Sequence, residues 1–143
     1  MKETEFILCE DVRTEADDKV SLMGVMTREV TLQADPSAKA PLRMRLAVFV
    51  GIDVEEGDVP ATFELGIKLG EKIVLSLKGN VSRDVPDGNR VHFMAGGDKL
   101  RLPGPGMLHF FFDVKDPAGN QLLHATKRLN IVLEKDDPVA QSA

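Results

Sequence analysis

Carboxylates are the most abundant groups that could do chemistry here, 23 Asp and Glu against 18 Lys and Arg for a net charge of -5. They gather in four segments, 14–18, 53–60, 82–89 and 116–120. These carry Glu15, Asp17, Asp18, Asp53, Glu55, Glu56, Asp58, Asp84, Asp87 and Asp116, with Arg83 as their one cation. In an antiparallel sandwich successive loops alternate between its two ends, so these four loops are expected at one end. A hard cation such as Ca²⁺ takes six to eight oxygen ligands, and clustered loop carboxylates can supply them. Asp17, Asp53, Glu55, Asp58 and Asp87 are therefore candidate calcium ligands on an acidic rim. The same residues serve equally as solvated loops. No Asp-x-Asp-Gly loop of the EF-hand type is present. The grouping also requires 28–33 to continue the second strand; a separate strand there takes loop 14–18 off the rim.

Four smaller sets remain. Pairing Lys115 with Asn120 sets His109 and His124 as diagonal neighbours on one sheet face, about 7–8 Å apart at Cα. Two imidazoles could reach a common metal from there, but a zinc site needs three or four ligands. Cys9 sits between Leu8 and Glu10, where no cation lowers its pKa, so it reads as structural. Glu10 interrupts the apolar parity of Phe6, Leu8 and Val12. A buried acid needs a partner, and Arg13, Arg43 or Arg45 could be it. Finally, Arg43, Arg45, Ala47, Phe49 and Gly51 share the outer parity of one long strand. With Phe111 and Val132 they form either an exposed interface or a strand buried on both faces. No Gly-x-Ser-x-Gly elbow occurs, and the Gly-rich 96–106 stretch lacks the Lys-Ser/Thr ending of a phosphate loop. No catalytic residue is assigned.

The elements that would position these groups are strands. Residues 6–27 read as two strands joined by an acidic turn. Pairing Arg13 with Lys19 sets Val12 opposite Val20, Leu8 opposite Gly24 and Phe6 opposite Met26, so both apolar faces coincide. Leu42, Met44, Leu46, Val48, Val50 and Ile52 form the longest clean alternation and predict a central strand. Further alternating runs are Phe63–Leu65–Ile67–Leu69, Ile73–Leu75–Leu77, Val91–Phe93–Ala95, Leu108–Phe110–Phe112–Val114 and Leu129–Ile131–Leu133. Gly70-Glu71 reads as a tight turn and Asp116-Pro117-Ala118-Gly119 as a type I turn. Lys127 falls on a core parity, which predicts a bulge or an edge position there. No amphipathic helix is convincing. The expectation is one all-β domain over 1–134, an antiparallel β-sandwich of about eight strands, C2-like or immunoglobulin-like, with a disordered tail over 135–143.

The chain has 143 residues, 43% apolar, with one Cys, no Trp and no Tyr. That length can bury a real core. The acidic balance disfavours nucleic acid, and disfavours direct membrane binding without a divalent cation. The missing Trp and Tyr weigh against sugar-binding and base-stacking sites. One Cys permits no internal disulfide, and the apolar run at 6–9 is too short for a signal or a membrane span, so a cytoplasmic location is expected.

Glu10, Asp11, Val12 and Arg13, followed by the Lys19-Val20-Ser21-Leu22-Met23-Gly24-Val25 strand, resemble the opening of a family of uncharacterised bacterial and phage β-sandwich proteins, a domain of unknown function. The resemblance covers about thirty residues of the 143. It implies a β-sandwich and carries over no functional residue. The expected role is a non-enzymatic module for protein interaction or structure, working with a protein partner or as a homo-oligomer and holding no cofactor. The alternative is a calcium-dependent binding module.

Overall fold

Period-two alternation dominates the computed structural model, which describes residues 1–33, 42–81 and 90–134. The expected tail over 135–143 lies outside these residues. Ten strands follow one another: β1 (Lys2–Cys9), β2 (Asp11–Thr14), β3 (Val20–Met23), β4 (Glu29–Gln33), β5 (Leu42–Asp53), β6 (Thr62–Leu69), β7 (Lys72–Asn80), β8 (Arg90–Leu102), β9 (Gly106–Lys115) and β10 (Gln121–Glu134). Eight of them build two packed sheets, a three-stranded one in the order β1-β5-β8 and a five-stranded one in the order β4-β10-β9-β6-β7. The chain is an all-β sandwich, as expected. The remaining two strands form the small β2–β3 hairpin.

The core lies between the sheets. Met44, Leu46, Val48, Val50 and Ile52 of β5 face Leu65 and Ile67 of β6, Phe110 and Phe112 of β9, and Leu129 and Ile131 of β10. Phe93 of β8 meets Phe63 and Phe112 with ring centroids 4.7 Å apart in both cases. These aromatic contacts tie the sheets together and add to simple area burial. Among the described residues no polar or charged side chain is buried.

The chain opening departs from its expected pairing. β1 pairs with β5, from Lys2 opposite Asp53 to Cys9 opposite Ala47, and meets the following segment only at a Leu8–Met26 bridge. In the hairpin Arg13 faces Ser21 rather than Lys19, and Val12 faces Leu22. The shift is two residues, so each side chain keeps its face. A 3-10 turn over Ala16–Asp18 sets it, with Asp17 in the left-handed region at φ 61° and the Glu15 N–H donating to Lys19 O at 2.7 Å. Asp tolerates that conformation because its short side chain can bond locally.

Residues 29–33 form a strand of their own, parallel to β10, so the sandwich is not wholly antiparallel. Gly70-Glu71 is the tight turn expected, closing Leu69 on Lys72. Asp116–Gly119 is a turn with the Gly119 N–H donating to Asp116 O at 3.0 Å. β4 pairs with β10 only along 130–134, which among the described residues leaves Lys127 on an open edge, one of its two expected settings. From Leu46 to Ile52, β5 is buried on both faces. No apolar patch is exposed on it, and Phe111 and Val132 belong to the other sheet.

Candidate functional site

The acidic end takes shape where β5 finishes and β6 begins. Asp53 Oδ1 accepts from Arg90 Nε at 3.2 Å, and Arg90 Nη1 also reaches Glu5 Oε1 at 3.4 Å. Asp58 Oδ2 lies 2.6 Å from the Met1 ammonium and accepts the Glu55 N–H at 3.0 Å. That ammonium holds the Asp58 carboxyl below the usual carboxylate range, and Asp58 in turn raises the Met1 amine. Glu55 stands 3.6 Å from the same ammonium.

Asp53, Glu55 and Asp58 therefore share one end, as read from the sequence, but Asp53 and Asp58 already have cationic partners. Asp17 does not join them. β1 runs away from the Asp53 end, Cys9 ends it opposite Ala47, and the hairpin carrying Asp17 begins there. Seven residues of strand, about 20 Å, separate Lys2 from that point. Asp87 lies outside the described residues. Among the described residues no group of three or more His, Cys, Asp or Glu could hold a metal ion.

The outer face of the five-stranded sheet carries a polar row that parity alone could have indicated. Lys78, Glu64, Asp113 and His124 are directly opposite one another across β7, β6, β9 and β10. Asp113 Oδ1 pairs closely with His124 Nδ1, and Lys78 Nζ stands 4.0 Å from Glu64 Oε1. A hollow of about 380 Å³ lies beside them, lined also by Thr62, Asn80 and Lys115. Each acid in this row has a partner, Glu64 beside Lys78 and Asp113 beside His124.

The expected histidine pair does not form. Gln121 rather than Asn120 faces Lys115, and a bulge between Gln121 and Leu123 adds one more residue, so the β9–β10 register moves by two in all, His124 faces Asp113 and His109 faces Arg128. Four residues of β9, about 13 Å, then separate the two rows. Phe111, between them, lies over Gly66 with Lys68 Nζ 5.7 Å from its ring centroid.

Cys9 is fully buried beneath the hairpin, its Sγ within 3.4 Å of Asp11 O and 3.8 Å of Ala47 O. Burial pushes its thiol pKa up, the opposite of what a nucleophile needs. Glu10 is exposed at the bend between β1 and β2, with its side chain folded over Gly24. It needs no buried partner, and Arg43 and Arg45 do not serve as one.

The unbalanced charge lies on the outer face of the three-stranded sheet. Arg43 is directly opposite Arg101, and Arg45 is directly opposite Lys99. All four are exposed. Cβ atoms of directly opposed residues stand about 4.5–5.5 Å apart, and like charges so placed are destabilising. Successive outward positions along a strand lie about 6.6 Å apart. Four cations thus occupy a small square. Among the described residues none of them has a carboxylate within salt-bridge reach, whereas Arg13 pairs with Asp11 and Arg90 with Asp53. Sequence reading saw Arg43 and Arg45 on one parity. Lys99 and Arg101 stand beside them only through the β5–β8 pairing, and no sequence pattern announces that register.

No protein-family model matches the chain, and no curated protein matches it. Among solved structures it is similar to the N-terminal domain of PorA, at 9% identity over 89% of this chain and 97% of that one, with a TM-score of 0.29. A likeness that loose carries no argument about fold or function.

Proposed function

We propose that this chain is a non-enzymatic β-sandwich interaction module, and that its contact surface is the square of Arg43, Arg45, Lys99 and Arg101. The partner is a protein presenting an acidic surface or segment. The carrying observation is the pair of like-charge cross-strand contacts without counter-charges among the described residues. A sheet keeps such a cost when the charges are used elsewhere, and Arg in particular offers a planar fork that matches carboxylates. A protein partner fits better than nucleic acid, since four cations sit on a chain of net charge -5 with neither Trp nor Tyr for stacking. The non-enzymatic part is supported by the thiol buried away from solvent and by the histidines on separate rows. A single Cys suits a reducing compartment, and the cytoplasm is the compartment proposed. No helix among the described residues is long and apolar enough to cross a membrane. The opening 10–25 stretch further supports membership of the bacterial and phage family of unknown function that it resembles.

The test is capture from lysate of the source organism by immobilised chain, run beside an Arg43→Glu/Arg101→Glu variant. The reading expects partners that elute with salt and are lost in the variant. A variant that retains the same partners contradicts it, and so does a chain that recovers none.

A further inference from the structure

Among the described residues the sandwich is sealed along one side and open along the other. On the β4 side, Met26, Val30 and Leu32 pack against the core. On the opposite side the edge strands are β7 and β8, and an apolar groove of about 220 Å³ runs between them. Its floor is the core itself, with Val48, Leu65 and Ile67 no more than 3% exposed. Leu77 on β7 and Ala95 on β8 form parts of its walls, and Leu77 stays 38% exposed at the rim. Among the described residues Lys99 is the only charged one that lines it. Lys99 also faces Arg45 across the strands, so it belongs to both the square and the edge of the groove.

We propose that this groove binds a single-chain amphiphile with one anionic head, its hydrocarbon tail between the sheets and its head on Lys99. The apolar floor selects a tail, since apolar pockets with a few placed polar groups are the usual form of a small-molecule site. Lys99, the one cation at the edge among the described residues, selects the head, because a carboxylate or another anion can pair with it and an uncharged head cannot. Size sets the tail. A cavity of about 150 Å³ holds a six-carbon ring, so 220 Å³ takes about nine carbons on the same scale. Longer chains run out through the open side. This inference does not rest on the protein-partner reading, although both involve Lys99.

Decanoate is the probe, titrated calorimetrically below its micellar concentration. Saturable one-to-one binding is expected, with butyrate and decanol each weaker by about tenfold or more. Lys99→Glu should weaken decanoate by a similar factor, and Ala95→Phe, which fills the groove from one wall, should abolish binding. Ala95→Phe does not touch the outward square, so it separates this site from the protein-binding surface. Thermal unfolding confirms that each variant is folded, and Lys99→Glu, an exposed change, keeps the test decisive if Ala95→Phe fails to fold. The proposal is overturned if decanoate shows no saturable binding up to millimolar concentration. It is equally overturned if Lys99→Glu binds as tightly as the parent chain, or if decanol binds as well as decanoate.

Discussion

Reversing one charge in the square should make the protein more stable while removing its proposed function. In Arg101→Glu the residue opposite Arg43 becomes an acid. Two unit charges 5–8 Å apart in water repel by about 0.5–0.8 kcal/mol. The reversal removes that repulsion and adds an attraction of similar size, and Lys99 on the same strand adds a smaller favourable contribution. Side-chain entropy reduces what exposed pairs deliver, so the net gain should be about 1 kcal/mol. For a chain of this length that raises Tm by roughly 3–4 °C. The gain should vanish in 1 M salt, where the screening length falls to about 3 Å. Thermal unfolding of both proteins at low and high salt measures it. A variant no more stable than the parent at low salt would refute the reasoning, since it would mean that the four cations do not repel one another. A gain that persists at high salt would refute it too, by showing a cause other than charge.

Other perturbations probe the scaffold and the acidic end. Phe112, 1% exposed and in ring contact with Phe63 and Phe93, should lose about 3–5 kcal/mol on change to Ala, seen as a large fall in the denaturant midpoint. Gly66→Ala should destabilise by about 1–3 kcal/mol, because its new methyl meets the Phe111 ring, and Gly66→Ala/Phe111→Ala should recover part of that loss. The folded Asp58 carboxyl is depressed by the Met1 ammonium, so its stabilising contribution is present above the ordinary carboxylate pKa of about 3.9 and is lost as pH falls through the lower folded value. Asp58→Asn should therefore flatten the acid limb of stability against pH below about 4, and an unchanged acid limb would contradict the assignment. Cys9 should resist a thiol reagent in the folded protein and react at once in denaturant, and rapid native labelling would show that the hairpin does not cover it. Millimolar Ca²⁺ should leave Tm unchanged, because Asp53 and Asp58 already hold Arg90 and Met1; a specific site at about 100 times its Kd would add roughly 2.7 kcal/mol.

Parity carried much of the fold into the sequence. Met44 to Ile52 point inward as alternation requires, Gly70 makes its turn, and Lys127 marks an edge. What alternation cannot give is a register with the same parity. Both hairpin shifts, at 11–23 and at 109–128, are two residues, which leaves every face unchanged while exchanging every partner. That exchange undid the His109–His124 pair and created the Asp113–His124 one. The parallel β4 was hidden for a different reason. Its partner β10 is about 100 residues away, and five residues cannot announce a long-range pairing. The acidic end was half legible. Asp53, Glu55 and Asp58 are close because they share one loop, whereas Asp17 depended on strand direction. The basic square was the least legible, since Arg43, Arg45, Lys99 and Arg101 meet only through the β5–β8 pairing.

The most direct measurement is a titration of the ¹⁵N-labelled chain with a poly-glutamate peptide, followed residue by residue. Saturable shifts are expected, centred on Arg43, Arg45, Lys99 and Arg101, weakened by salt and lost in Arg43→Glu/Arg101→Glu. No shifts, or shifts centred on another face of the sandwich, would contradict the proposed contact surface.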